Sequence, residues 1–148
     1  MKGIAVSGYA ALLAEVKERV RSAQYAALRA VNKELVGLYW DIGRLLTAKR
    51  TGGTWGKAVV QNLARDLQAE FPGIQGFSPQ NLWRMRQFHE LYRSDPKLSP
   101  LVREIGWTHN VIIMMHCGDS AEREFYIRMT RKFGWSKNVL ALQIENQS

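Results

Sequence analysis

With four prolines, a single cysteine and no long apolar run, this 148-residue chain is limited first by what it lacks. One thiol, Cys117, excludes an intrachain disulfide framework and fits a reducing, cytoplasmic setting. It follows Met114, Met115 and His116 in an apolar stretch, so a buried, inert side chain is expected. No segment approaches the ~18 uncharged apolar residues of a membrane-spanning helix, and no membrane partner is expected. Residues 3–14 faintly resemble a leader peptide. They run straight into Glu15-Val16-Lys17-Glu18-Arg19, which has the pattern of a mature helix. Acidic residues are few: 13 against 21 Lys and Arg, a formal net charge of +8. Such an excess attracts polyanions, most often nucleic acid. It is concentrated in residues 1–50, which hold nine bases and four acids.

Breakers are absent where they would matter most. Tyr9–Arg50 contains no proline, and Tyr9–Val36 no glycine, which predicts a long helical segment. Within it Leu28, Val31, Leu35, Leu38, Ile42 and Leu45 alternate steps of three and four, the rhythm of a coiled-coil seam; Leu13, Val16 and Val20 keep a similar spacing. The segment reads either as one helix about 60 Å long at ~1.5 Å per residue, or as helices broken near Ser22–Gln24, Gly37 or Gly43. The seam serves equally well for packing within the domain or for a homodimer, and a dimer would match two DNA half-sites.

Lys57–Glu70 places Val59, Val60, Leu63 and Leu67 on one face and ends at Phe71-Pro72-Gly73, where proline and glycine stop a helix. The next helix opens at Gly76-Phe77-Ser78-Pro79, with Ser78 as N-cap, Pro79 at the first helical position, and Phe77 with Leu82 as a hydrophobic staple. It runs to Tyr92. Two helices joined in this way predict a helix-turn-helix with a longer than minimal turn. On the second helix Leu82, Met85, His89 and Tyr92 gather toward the core. Gln80, Trp83, Arg84 and Gln87 gather on the opposite side at spacing i, i+3, i+4, i+7. Glutamine can bond adenine and arginine guanine through two hydrogen bonds each, so this stripe has base-reading chemistry. An ordinary solvated face has the same polarity, and Trp83 equally suits packing under another element. Lys57, Arg65, Ser78 and Arg86 are the candidate phosphate contacts, extended by Arg44, Lys49 and Arg50.

Downstream, Gly106-Trp107-Thr108-His109-Asn110-Val111-Ile112 resembles Gly134-Trp135-Ser136-Lys137-Asn138-Val139-Leu140. Each predicts a Thr or Ser N-cap stapled by tryptophan, so the tryptophans read as structural. A helix over Ser120–Phe133 lies between, with Phe125, Met129 and Phe133 expected on its inner face. No convincing strand is visible; a short β-wing is placed at Thr51–Trp55 or Pro100–Gly106.

No catalytic or metal site assembles. Gly56-Lys57-Ala58 fails the phosphate-loop ending. His109 and His116 share a helix face about 10 Å apart, too far to ligate one metal. His89 falls on the core side. Asp66 and Glu70 are an acidic i, i+4 pair on a solvated face, and Glu122 and Glu124 suit the positive end of a helix. No cofactor is expected.

Several stretches together carry a resemblance: Leu38-Tyr39-Trp40-Asp41-Ile42-Gly43, Trp55-Gly56-Lys57, Asp66-Leu67-Gln68 with Phe71-Pro72-Gly73, Gly76-Phe77-Ser78, Asn81-Leu82, Met85-Arg86-Gln87-Phe88, Glu122-Arg123-Glu124-Phe125-Tyr126 and Gly134–Leu140. From about Tyr9 to Ile144 the chain resembles the amino-terminal domain of the YhcG-like PDDEXK nuclease family. The resemblance implies a winged helix-turn-helix module that binds duplex DNA ahead of a separate nuclease domain in cis in longer relatives. It does not imply cleavage by these residues. The only Glu-x-Lys is Glu15-Val16-Lys17, with no aspartate before it and in a helical context.

The expectation is therefore an all-α, winged helix-turn-helix-like helical domain with a long N-terminal helix. Residues 1–8 would be a tail and 9–146 one domain: a long helical segment (9–50), the helix-turn-helix (56–93) and C-terminal helices (106–146). It would be a non-enzymatic DNA-binding module. The alternative is a protein-interaction or dimerisation module working through the Leu28–Leu45 seam, and a third reading is binding of structured RNA.

Overall fold

A computed structural model describes residues 2–48 and 56–147, with the backbone alone for residues 2–7. The candidate contacts Lys49 and Arg50, and the wing placed at Thr51–Trp55, lie outside the described residues. Among the described residues six α-helices follow one another: α1 (Lys2–Thr47), α2 (Lys57–Glu70), α3 (Pro79–Tyr92), α4 (Trp107–His116), α5 (Ser120–Phe133) and α6 (Lys137–Gln147). There is no strand among the described residues. The second wing position is a single 3₁₀ turn, Leu101–Glu104. No helix among the described residues is long and apolar enough to cross a membrane.

Helix α1 is continuous through Ser22, Gly37 and Gly43, and starts at Lys2 where a tail was expected. No proline interrupts it, and isolated glycines such as Gly37 and Gly43 cost only about 1 kcal/mol each in a helix interior. The chain divides into two compact units, one ending at Val31 and one beginning at Asn32. In the first, every described side chain from Gly8 to Val31 is exposed. The second unit holds the core.

That core has two clusters. One gathers Tyr39 and Leu46 of α1, Val60 and Ala64 of α2, and Phe77, Leu82 and Met85 around the start of α3. The other gathers Val36, Phe88 and Tyr92 with Leu98, Val102, Ile113, Ile127 and Leu140. Trp107 packs against both. Each fully buried Leu or Phe of this kind contributes about 1.5–3 kcal/mol. Of the Leu28–Leu45 seam, Leu35 and Ile42 are partly buried against the core, whereas Leu28, Val31, Leu38 and Leu45 are exposed. The core takes a different stripe of α1, Val36, Tyr39, Gly43 and Leu46. Gly43 is needed there, because a Cβ would collide with the backbone carbonyl of Met85 on α3.

Local signals explain most boundaries. At α5, the Asp119 carboxylate caps the helix by accepting from the Glu122 N–H at 2.8 Å, and the Glu122 carboxylate accepts from the N–H of Gly118, the residue before the cap, at 2.9 Å. Gly134, at φ 62°, ends α5 in the left-handed conformation. Ser136 caps α6 by accepting from the Val139 N–H at 3.2 Å. Thr108 does not cap α4: the N-cap is Gly106, and the helix begins at Trp107. The reason is tertiary. The Trp107 indole donates to Asn81 at 2.9 Å, and its ring meets Tyr39 and Phe88 edge-on, which draws residue 107 into the first turn. The inner face of α5 is likewise not the one expected. Tyr126, Ile127 and Thr130 are buried, while Phe125 and Phe133 are exposed. The 3₁₀ turn, α4 and α6 pack on that other side.

Candidate nucleic-acid interface

Helices α2 and α3 pack together across the connection 71–78. Phe71 closes α2, its N–H donating to Leu67 at 2.8 Å, and the proline that follows it disfavours further helix. The Gln68 side chain, one turn back, donates to the Phe77 carbonyl at 2.9 Å and so ties the connection to α2. Gly76 takes φ 103°, where a Cβ would also collide with the Tyr39 hydroxyl. Only glycine meets both conditions cheaply.

Ser78 then caps α3, accepting from the Asn81 N–H at 3.1 Å, with Pro79 at the first turn. Asn81 is a residue whose importance the sequence did not reveal. Its Nδ2 donates to the Gly76 carbonyl at 2.6 Å, and its Oδ1 accepts the Trp107 indole N–H. One amide thus holds the connection, α3 and α4 together. Position three of a capped helix is a weak signal for that role, since the partner lies 26 residues away.

With its entry held in this way, α3 turns Leu82, Met85, Phe88, His89 and Tyr92 into the core. The expected inner face is correct, with Phe88 added. Gln80 and Gln87 are exposed, and Trp83 and Arg84 half-buried beside them. Trp83 packs against the core cluster of α2, and the Arg86 guanidinium lies 5.3 Å from its ring centroid. Arg86 also donates to Glu90 at 2.8 Å, so its charge is already partnered within α3. Lys57 and Arg65 on α2 are exposed, as is Arg44 in the last turn of α1. Arg65 lies 3.5 Å from Asp66 with both side chains 72% exposed, a surface pair that costs little to break.

Residues 15–148 match the DUF1016 N-terminal domain. The chain belongs to that family. No curated protein and no solved structure matches it. The match spans the capped pair α2–α3 and the helices behind it, so the geometry above is that of a DUF1016 N-terminal domain.

Behind the exposed face of this domain, His89 is buried and hydrogen-bonded. Thr47 Oγ1 lies 3.0 Å from His89 Nδ1 and also gives its hydrogen to the Arg44 carbonyl at 2.8 Å. A hydroxyl has one hydrogen, so Nδ1 carries the proton and donates. Burial, then the charges of Arg93 and Arg44, hold the His89 pKa below its ordinary value, with Glu90 opposing. His89 is thus a neutral packed side chain at the α1–α3 crossing. Burial, helped by Glu122, pushes the Cys117 thiol up to about 12. No group of three or more His, Cys, Asp or Glu among the described residues could hold a metal ion.

Proposed function

We propose that this DUF1016 N-terminal domain is a non-catalytic duplex-DNA-binding module. It would act as a helix-turn-helix, with α3 in the groove and α2 above it. In longer proteins of the YhcG-like PDDEXK nuclease type it would bring a fused nuclease domain to its target.

The observation that carries this reading is the outward face of α3, where Gln80 and Gln87 are exposed and Arg84 is half-buried between them. Gln80, Arg84 and Gln87 stand together on a helix whose entry is pinned by Ser78, Asn81 and Gly76 and whose other side is fully buried. Groove reading needs such a rigid presentation, since each bidentate base contact is worth about 1–3 kcal/mol only when held in register. Lys57 and Arg65, with the Ser78 hydroxyl, are the phosphate contacts, and Arg44 extends them. Trp83 and Arg86 support the helix from its edge and are not the primary readers.

The test is a titration of the full chain against duplex DNA, single-stranded DNA and duplex RNA at several salt concentrations, beside an Arg84→Ala, Gln87→Ala variant. The expected result is duplex DNA preference, a drop of about tenfold or more in the variant, and a salt slope near −3 for the three cations Lys57, Arg65 and Arg44 on phosphates. Equal, weak binding to all three ligands, unchanged in the variant, would refute it and leave the protein-interaction reading, which the exposed apolar positions of α1 favour.

A further inference from the structure

The first unit of the chain has an uncovered seam with a definite pattern. Leu13, Val16, Val20, Ala23, Ala27 and Ala30 fall at steps of three, four, three, four and three, the a and d positions of a heptad repeat. All six are exposed. Leu12 and Val31, which flank the seam, are 57% and 61% exposed. Helical stability in proteins comes mostly from an amphipathic face finding a partner, which gives an exposed apolar stripe of this length a use.

We propose that residues 13–30 of α1 pair antiparallel with the same residues of a second copy of this chain. Side-chain size selects this occupant and this direction. The seam is bulky over Leu13, Val16 and Val20 and small over Ala23, Ala27 and Ala30. Antiparallel pairing sets Leu13 opposite Ala30, Val16 opposite Ala27, and Val20 opposite Ala23 of the second copy. Every layer then joins one large and one small side chain, which fills a core evenly. Parallel pairing would stack alanine on alanine at one end and bulky residues at the other, leaving gaps where close packing is required. The flanking charges agree: Lys17 meets Gln24 and Arg19 meets Ala26, so no like charges face each other. The Leu28–Leu45 seam is the poorer choice, because Leu35 and Ile42 already face the chain's own core.

This pairing is independent of the nucleic-acid reading and is measured without any ligand. Sedimentation equilibrium of the full chain should give twice the 16.9 kDa chain mass as concentration rises. Val16→Glu with Val20→Glu should raise the dimer dissociation constant by about a hundredfold or more, because it places a charge in each central layer. Tyr25→Glu, on the opposite face, should leave it unchanged. Far-UV circular dichroism of each variant, with the melting temperature of the second unit, separates lost pairing from lost folding. Orientation is read by oxidation: Leu13→Cys mixed with Ala30→Cys should form the cross-chain disulfide, and Leu13→Cys alone should not. A monomer at all concentrations, a dimer indifferent to the glutamates, or self-crosslinking of Leu13→Cys alone would each overturn the proposal.

Discussion

Replacing Gly76 by alanine should cost about 2–6 kcal/mol, from two separable causes. The first is backbone strain: at φ 103° a side chain is disfavoured by about 1–3 kcal/mol. The second is overpacking: the new Cβ meets the Tyr39 hydroxyl, and forcing the two apart costs about 1–3 kcal/mol. Tyr39 is buried, with its ring edge-on to Trp107 at 4.9 Å, so it cannot swing clear. Removing only the hydroxyl separates the causes. In a Tyr39→Phe background, Gly76→Ala should cost less by about 1–3 kcal/mol, leaving mainly the backbone part. Urea unfolding of the four proteins measures this, with unchanged m values confirming that the native and unfolded states are otherwise the same. A coupling below about 0.3 kcal/mol would show that the hydroxyl plays no part. A total cost below about 0.5 kcal/mol would refute both causes, because an unconstrained surface position behaves that way.

Three further outcomes follow from the same geometry. Asn81→Ala should lose about 1–3 kcal/mol, since it leaves the Trp107 indole N–H unpaired at a part-buried site; an unchanged melting temperature would show that solvent satisfies it. His89 has a pKa depressed on folding, so its contribution to stability is complete above about pH 6.5 and is lost as the pH falls from there toward its folded value. His89→Gln should therefore flatten the stability profile between neutral and mildly acidic pH, and an identical slope in both proteins would refute the assignment. Cys117, buried and with its thiol pushed up to about 12, should react with a disulfide reagent at pH 8 only at the rate of unfolding; immediate labelling of the native protein would contradict its burial.

Much of the fold was legible where the cause was local. The bounds of α2, α3 and α5 follow from Phe71-Pro72, Ser78-Pro79 and Gly134, because caps and breakers act through bonds to residues three or four away. The inner face of α3 was legible for a related reason: Leu82, Met85, His89 and Tyr92 form one apolar stripe with no competitor. The candidate readers Gln80 and Gln87 then fall outside the core by exclusion.

Where two stripes compete, the sequence alone does not choose. On α5, Phe125, Met129 and Phe133 have helical spacing, and so do Tyr126, Ile127 and Thr130; the neighbours at the 3₁₀ turn, α4 and α6 bury the second set. On α1, the Leu28–Leu45 seam is the more regular. The core nevertheless takes Val36, Tyr39 and Leu46, because Gly43 on that stripe is what lets α1 approach the Met85 backbone. Tertiary contacts also moved the start of α4 to Trp107 and partnered Arg86 with Glu90 and Trp83. By itself, then, the sequence determined the bounds of α2, α3 and α5 and which face of α3 is polar, since those depend on caps, breakers and spacings of three and four. Only the tertiary structure decided which of two apolar faces is buried and which cations remain exposed, since those depend on the shape of a surface assembled from residues far apart in the chain.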